Sequence, residues 1–165
     1  LEACKLLDKN VADFELSIIG DEEEDIIEKI DTFIKEKVTN FKINRFGGKE
    51  HDFIIAKMKE HDIFCFPSSH SGEGHSNVIN EAMMNTMIII TTRNGFLGDI
   101  LNNDLAYFIK EKDSEDIYKT IIEIINNKKE AKNKAIAGYN NLKSNFTVSR
   151  ISKDMKRYYF ELINQ

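Results

Sequence analysis

The sequence predicts an α/β fold built on a doubly wound parallel sheet. Two observations carry that prediction. The runs Asp62–Phe66 (DIFCF) and Met87–Thr91 (MIIIT) are short and almost wholly apolar, as strands covered on both faces must be. Segments with helical spacing of apolar residues alternate with the strand-like runs, which is the order of a parallel sheet with helices on either side. With 165 residues and one proline, the chain reads as a single domain with room for a real core.

The elements follow in order. Residues 1–9 read as the end of a helix, with Ala3, Leu6 and Leu7 apolar, and residues 14–20 (FELSIIG) as a strand closing on glycine. Residues 22–37 place Ile26, Ile27, Ile30, Phe33 and Ile34 at helical spacing. Residues 41–46 alternate as a strand and lead into the turn Gly47-Gly48; residues 50–60 are helical. A helix follows Asp62–Phe66 from an N-cap at Ser76 to about Asn85, then the strand Met87–Thr91. The apolar run Leu105 to Ile109 is the last strand. From Ser114 onward the chain is helical: Ile117, Ile121, Ile124 and Ile125 mark one helix. Ile151, Met155, Tyr158, Leu162 and Ile163 mark another, capped at Thr147 or Ser149, with Tyr158 and Tyr159 read as packing residues.

A net charge of −5 and a pI near 5.5 argue against nucleic acid as a partner and against a polybasic membrane surface, leaving only peripheral membrane contact. Cys4 and Cys65 are far apart, and Cys65 lies in an apolar strand, which reads as a buried free thiol in a reducing, cytoplasmic compartment. No stretch approaches the ~18 apolar residues of a membrane span. The chain opens on Leu1 inside a helix, which reads as a fragment of a longer protein.

The segment Phe66–Thr92 carries the chemistry. It runs from a strand end through a glycine-containing loop into a helix and a second strand. The first N–H groups of that helix, at Asn77 and Val78, are donors that bind an anion without a basic side chain. Asn77 and Glu81 are four apart and share a face away from the sheet, whereas Val78, Ile79, Ala82 and Met83 face it. Glu81 lies one turn back, roughly 5–6 Å along the axis, about the span from a nucleotide's phosphate to its ribose. Gly72 and Gly74 allow close backbone approach, with Glu73 between them. Spacing alone leaves open that Ser76 is merely a cap and both glutamates solvated surface acids. His70, Glu73 and His75 lack the fixed spacing of a metal site, and Ser68 and Ser69 have no base and acid arranged for a hydrolase.

The whole segment resembles the donor-binding signature of retaining glycosyltransferases of the GT-B fold, family 4 (group 1). The matching residues are Pro67-Ser68 at the strand end, Glu73-Gly74, then Glu81-Ala82-Met83 as the second acid of a Glu-x7-Glu motif, and Ile88 to Thr91. Residues 2–20, Phe46-Gly47-Gly48, Asp62 to Ser68 and Gly95 to Leu101 match further parts of the pattern, so the resemblance covers essentially the whole chain. It implies a Rossmann-like domain over residues 1–165, the C-terminal half of such an enzyme, lacking its first strand, with C-terminal helices from about residue 114. It implies a nucleoside diphosphate sugar as substrate, no cofactor and no metal. Glu73 would stand beside the donor sugar as the catalytic acid residue. Gly74, His75, Ser76, Asn77 and Val78 would surround the diphosphate, Glu81 would hold the ribose, and Gly47, Gly48 and His51 would lie near the base. The acceptor, a glycan or lipid of surface polysaccharide synthesis, would be bound through an absent N-terminal domain, in the cytoplasm or at the inner face of the membrane.

The chain departs from the pattern in two places. His75-Ser76 replaces an aromatic residue followed by Gly or Pro, and Asn85-Thr86-Met87-Ile88 replaces a glycine-containing turn before the strand. The basic loop expected ahead of residues 1–9, carrying an Arg and a Lys, would also lie before Leu1. Two rival readings are a non-catalytic nucleotide-binding or regulatory domain of the same fold and a sugar-nucleotide epimerase. Retention of both Glu73 and Glu81 speaks against the first, and the Glu-Ala-Met continuation against the second. Because the missing element would sit centrally, the strands at 14–20 and 62–66 are expected not to pair.

Overall fold

The computed structural model describes residues 1–11, 13–21, 23–35 and 41–164. The elements are α1 (Glu2–Leu7), β1 (Glu15–Ile18), α2 (Glu24–Lys35), β2 (Lys42–Arg45), α3 (His51–Glu60), β3 (Ile63–Phe66) and α4 (Asn77–Met84). They continue with β4 (Ile88–Thr91), α5 (Leu97–Ile100), β5 (Tyr107–Phe108), α6 (Ser114–Asn126), α7 (Lys128–Asn145) and α8 (Val148–Ile163). The expected helix at 22–37 is present as α2; its residues 22, 36 and 37 lie outside the described residues.

Every ladder is parallel. β1 pairs β2, and β4 lies between β3 and β5, with Ile63 opposite Ile88, Phe66 opposite Thr91 and Ile90 opposite Tyr107. Among the described residues β1 and β3 share no ladder, so the break expected between these strands is present.

The two faces of β4 explain the layering. Successive strand side chains point to opposite faces, yet Ile89 and Ile90 are both sealed, at 1% and 0% exposure. Ile89 packs with Ile79, Ala82 and Met83 of α4 and with Leu142 of α7. Ile90 packs with Tyr107, Ile124 of α6 and Ala131 of α7. The sheet is therefore covered on both sides, as the apolar runs require.

α7 was legible only as part of a helical tail, because its buried stripe is small. Ala131, Ala135, Gly138 and Leu142 form it, and a Cβ on Gly138 would lie 3.3 Å from Met83 Cγ. Small residues thus let α7 approach α4 closely. Thr147 caps α8, its Oγ1 accepting from Arg150 N–H at 3.3 Å, which decides between the two caps expected. The apolar face of α8 does not pack as anticipated: Tyr158 and Tyr159 are 63% and 58% exposed. Cys65 also departs from expectation. The residue is exposed on β3 rather than buried, although protein around its sulfur pushes the thiol up to about 11.

α4 ends where the sequence departed from its family pattern. Thr86 N–H donates to Met83 O and Met87 N–H to Ala82 O, each at 3.0 Å, which is a Schellman closure. Thr86 holds the left-handed position at φ 55°, where glycine normally sits. A β-branched residue there carries about 1–2 kcal/mol of strain, against about 0.5–1 kcal/mol of unfolded-state freedom that glycine would add. Thr86→Gly is expected to stabilise the fold by about 0.5–1 kcal/mol, read as a higher urea midpoint at unchanged slope. A lower midpoint would show that the threonine is unstrained.

Candidate functional site

The loops after β2, β3 and β4 leave the carboxyl ends of parallel strands, where doubly wound sheets bind ligands. α4 begins in this crevice. Ser76 precedes it with extended backbone (φ −70°, ψ 121°) and no side-chain cap bond. The first bond of the helix is Ile79 N–H to Ser76 O at 3.1 Å. The N–H groups of Asn77 and Val78 lie ahead of it at the positive end of the helix dipole. Ile79, Ala82 and Met83 anchor the opposite face in the core, Val78 packing partly against it, so the direction of these donors is set by packing.

Glu81 stands one turn further on. Its side chain is 27% exposed, and Oε1 lies 3.3 Å from His51 Nε2. His51 opens α3, thirty positions earlier in the sequence. Of the residues expected near the base, His51 therefore meets the carboxylate expected at the ribose. Gly47 turns the chain after β2 with φ 64°, and its carbonyl accepts from Gly20 N–H at 3.1 Å. A Cβ on Gly48 would strike Asp21 Oδ1, so the turns after β1 and β2 are packed together.

Glu73 is held from several sides. Ser68 Oγ donates to Glu73 Oε2 at 2.8 Å. Glu73 N–H donates to His70 O at 3.1 Å, and Phe96 N–H donates to Glu73 O at 2.9 Å. Thr92 Oγ1 and Asn94 Nδ2 both donate to Ser68 O, at 2.6 and 2.8 Å. The loop after β3 is thus stitched to the loop after β4. Asn94-Gly95 is a turn signal, and Ser68, without a base and acid arranged beside it, serves here as a donor to Glu73. The link between Ser68 and Thr92 or Asn94 spans more than twenty positions and leaves no local pattern.

His75 is turned aside. Its Nε2 lies 2.8 Å from Asn80 Oδ1, and its ring meets Phe146 edge-on at 4.8 Å. A Cβ on Gly74 would face open space, leaving the backbone there accessible. Among the described residues no group of three or more His, Cys, Asp or Glu side chains is arranged to hold a metal ion.

Gly95 fixes the spacing of the two loops. It holds φ 54°, and a Cβ there would run into the Glu73 carbonyl. Gly95→Ala adds left-handed strain of about 1–2 kcal/mol and a backbone clash of about 1–3 kcal/mol. A loss of roughly 2–4 kcal/mol in urea unfolding is expected; an unchanged midpoint would show that the loops do not pack as described.

A sequence model of the family described as glycosyl transferases group 1 matches residues 1–141. An uncharacterized glycosyltransferase of Methanocaldococcus jannaschii is 30% identical over 117 residues, which make up 70% of this chain and 32% of that protein. The chain thus spans about a third of that relative's length. Among solved structures, the C-terminal domain of a glycosyl transferase group 1 family protein from Francisella tularensis aligns with a TM-score of 0.77 at 21% identity, covering 89% of this chain and 77% of that one. Anabaena HepE in complex with UDP-glucose aligns with a TM-score of 0.75 at 16% identity, over 88% of this chain and 40% of that one.

Proposed function

The chain belongs to the glycosyl transferases of group 1, and from that premise we propose that residues 1–165 form the nucleotide-sugar-binding domain of a retaining hexosyltransferase. The fold is the Rossmann-like C-terminal domain of GT-B glycosyltransferases. The observation that carries the reading is the sequence of contacts beyond the carboxyl end of β3: the Glu73 loop bonded to Ser68, the N-terminus of α4 with free N–H groups, and Glu81 one turn on paired with His51. The likeness to HepE, whose complex holds UDP-glucose, supports a nucleoside diphosphate sugar as the ligand.

In this reading the diphosphate lies against the N–H groups of Asn77 and Val78, flanked by Gly74, His75 and Ser76. Its charge grows as the sugar departs, and oriented N–H dipoles stabilise that growth without reorganising. Glu81 accepts the vicinal ribose hydroxyls, and Gly47, Gly48 and His51 border the base. Glu73 faces the donor sugar, where positive charge develops at the anomeric carbon. The bond from that carbon to the diphosphate breaks, a bond to the acceptor hydroxyl forms on the same face, and the acceptor proton leaves with the diphosphate. The acceptor, a glycan or lipid of surface polysaccharide synthesis, is bound by a further N-terminal domain in the cytoplasm or at the inner membrane face. The 165 residues alone bind donor without transferring it, because orientation of both substrates supplies much of the barrier reduction.

Glu81→Ala should weaken nucleoside diphosphate binding by about 1–3 kcal/mol, the worth of charged hydrogen bonds, while Glu73→Ala leaves it nearly unchanged. Calorimetric titration of UDP, GDP and ADP against the three proteins measures both. Equal weakening by the two substitutions, or no effect from either, would make the acids surface residues.

Nucleotide binding is expected without a divalent ion, since the α4 N-terminus supplies the positive end. Titration in chelator and then in magnesium tests this, and binding seen only with magnesium would sink it.

A further inference from the structure

We propose that Ser68 is a positioning residue for Glu73, fixing which carboxylate oxygen meets the donor sugar; this rests on the proposed donor-binding function. The hydroxyl of Ser68 has a defined direction. His70 N–H donates to Ser68 Oγ at 3.3 Å, so the hydroxyl's own hydrogen goes to Glu73 Oε2 at 2.8 Å. One oxygen of the carboxylate is thereby held and Oε1 is left for a ligand. Ser68 is itself fixed from β4: Thr92, 1% exposed, and Asn94 both donate to its carbonyl. An ionised carboxylate accepts only, so a single strong donor on Oε2 selects one rotamer among the several open to glutamate on a loop.

Backbone and side-chain anchoring of Glu73 are separate, which makes the role testable. The Glu73 backbone is tied by its N–H to His70 O and by its carbonyl to Phe96 N–H, bonds that do not involve the Ser68 hydroxyl. Removing that hydroxyl should therefore loosen the carboxylate and release one exposed loop N–H, that of His70, while both backbone bonds of Glu73 remain. The ratio of dissociation constants for a nucleoside diphosphate and for its glucose conjugate isolates contacts to the sugar, since base, ribose and phosphates are common to both.

The experiment titrates the 165-residue chain by calorimetry with UDP, GDP and ADP and with UDP-glucose, GDP-glucose and ADP-glucose, taking forward the pair that binds. Ser68→Ala should lower the ratio by roughly the same factor as Glu73→Gln, on the order of three- to tenfold for a charge-assisted contact. It should leave the nucleoside diphosphate constant within about twofold and the urea midpoint nearly unchanged. Ser68→Thr, which keeps the hydroxyl, should restore the ratio. A ratio unchanged in Ser68→Ala but lowered in Glu73→Gln would overturn the positioning role and leave the donor site standing. Equal weakening of both ligands by Ser68→Ala, or failure of Ser68→Thr to restore the ratio, would make Ser68 a structural residue and overturn it as well. Absence of binding by the unaltered chain to all six compounds would overturn the donor-binding function, and the role of Ser68 with it.

Discussion

Burial of β4 on both faces is the constraint from which the rest of this fold follows. Ile89 and Ile90 point in opposite directions and neither meets water. Helices must therefore lie on each side, and chain must cross from strand to helix at both sheet ends. α4 and α7 cover one face while α6 and the start of α7 cover the other. The loops that leave the carboxyl ends of β3 and β4 are brought side by side by this requirement.

Buried hydroxyls turn that adjacency into fixed geometry. Thr91 and Thr92 are 0% and 1% exposed, and a buried hydroxyl without a partner is costly. Thr91 Oγ1 donates to Phe66 O at 2.8 Å and Thr92 Oγ1 to Ser68 O at 2.6 Å. Each bond joins the end of β4 to the end of β3, so the strand pairing Phe66 with Thr91 continues into the loops through side chains. The position of Glu73 is inherited from the sheet in this way.

Much of this was legible in the residues, and what was not has a physical reason. The apolar run of β4 was legible because burial on both faces leaves no room for polar residues; that of β3 reads alike, although its side chains are only partly buried and Cys65 is exposed. α4 was legible from Ser76 through its helical spacing, and Thr147 as one of two candidate caps for α8. α7 was not separated because alanine and glycine, chosen for close approach to Met83, carry little hydropathic signal. Tyr158 and Tyr159 read as packing residues because helical periodicity shows only which side chains share a face, not whether anything lies against it. The meetings of His51 with Glu81 and of Ser68 with Thr92 and Asn94 depend on how separate loops fold together. No local spacing encodes them, although glutamates 73 and 81 and the turn at Gly47 had been singled out separately.

The break between β1 and β3 has a bearing on cooperativity. Ladder bonds join β1 to β2, and others join β3, β4 and β5, but among the described residues none cross between the groups. Hydrogen-bonded networks that share no rungs can open at different free energies. His51 opens the helix after β2 and Glu81 lies on the helix after β3, and α3 packs in the same core as α4, with Met58 beside Ile79, Ala82 and Met83. A molecule lodged against both side chains would clamp the start of α3 to α4, and its binding energy would register as added resistance of these two helices to local opening.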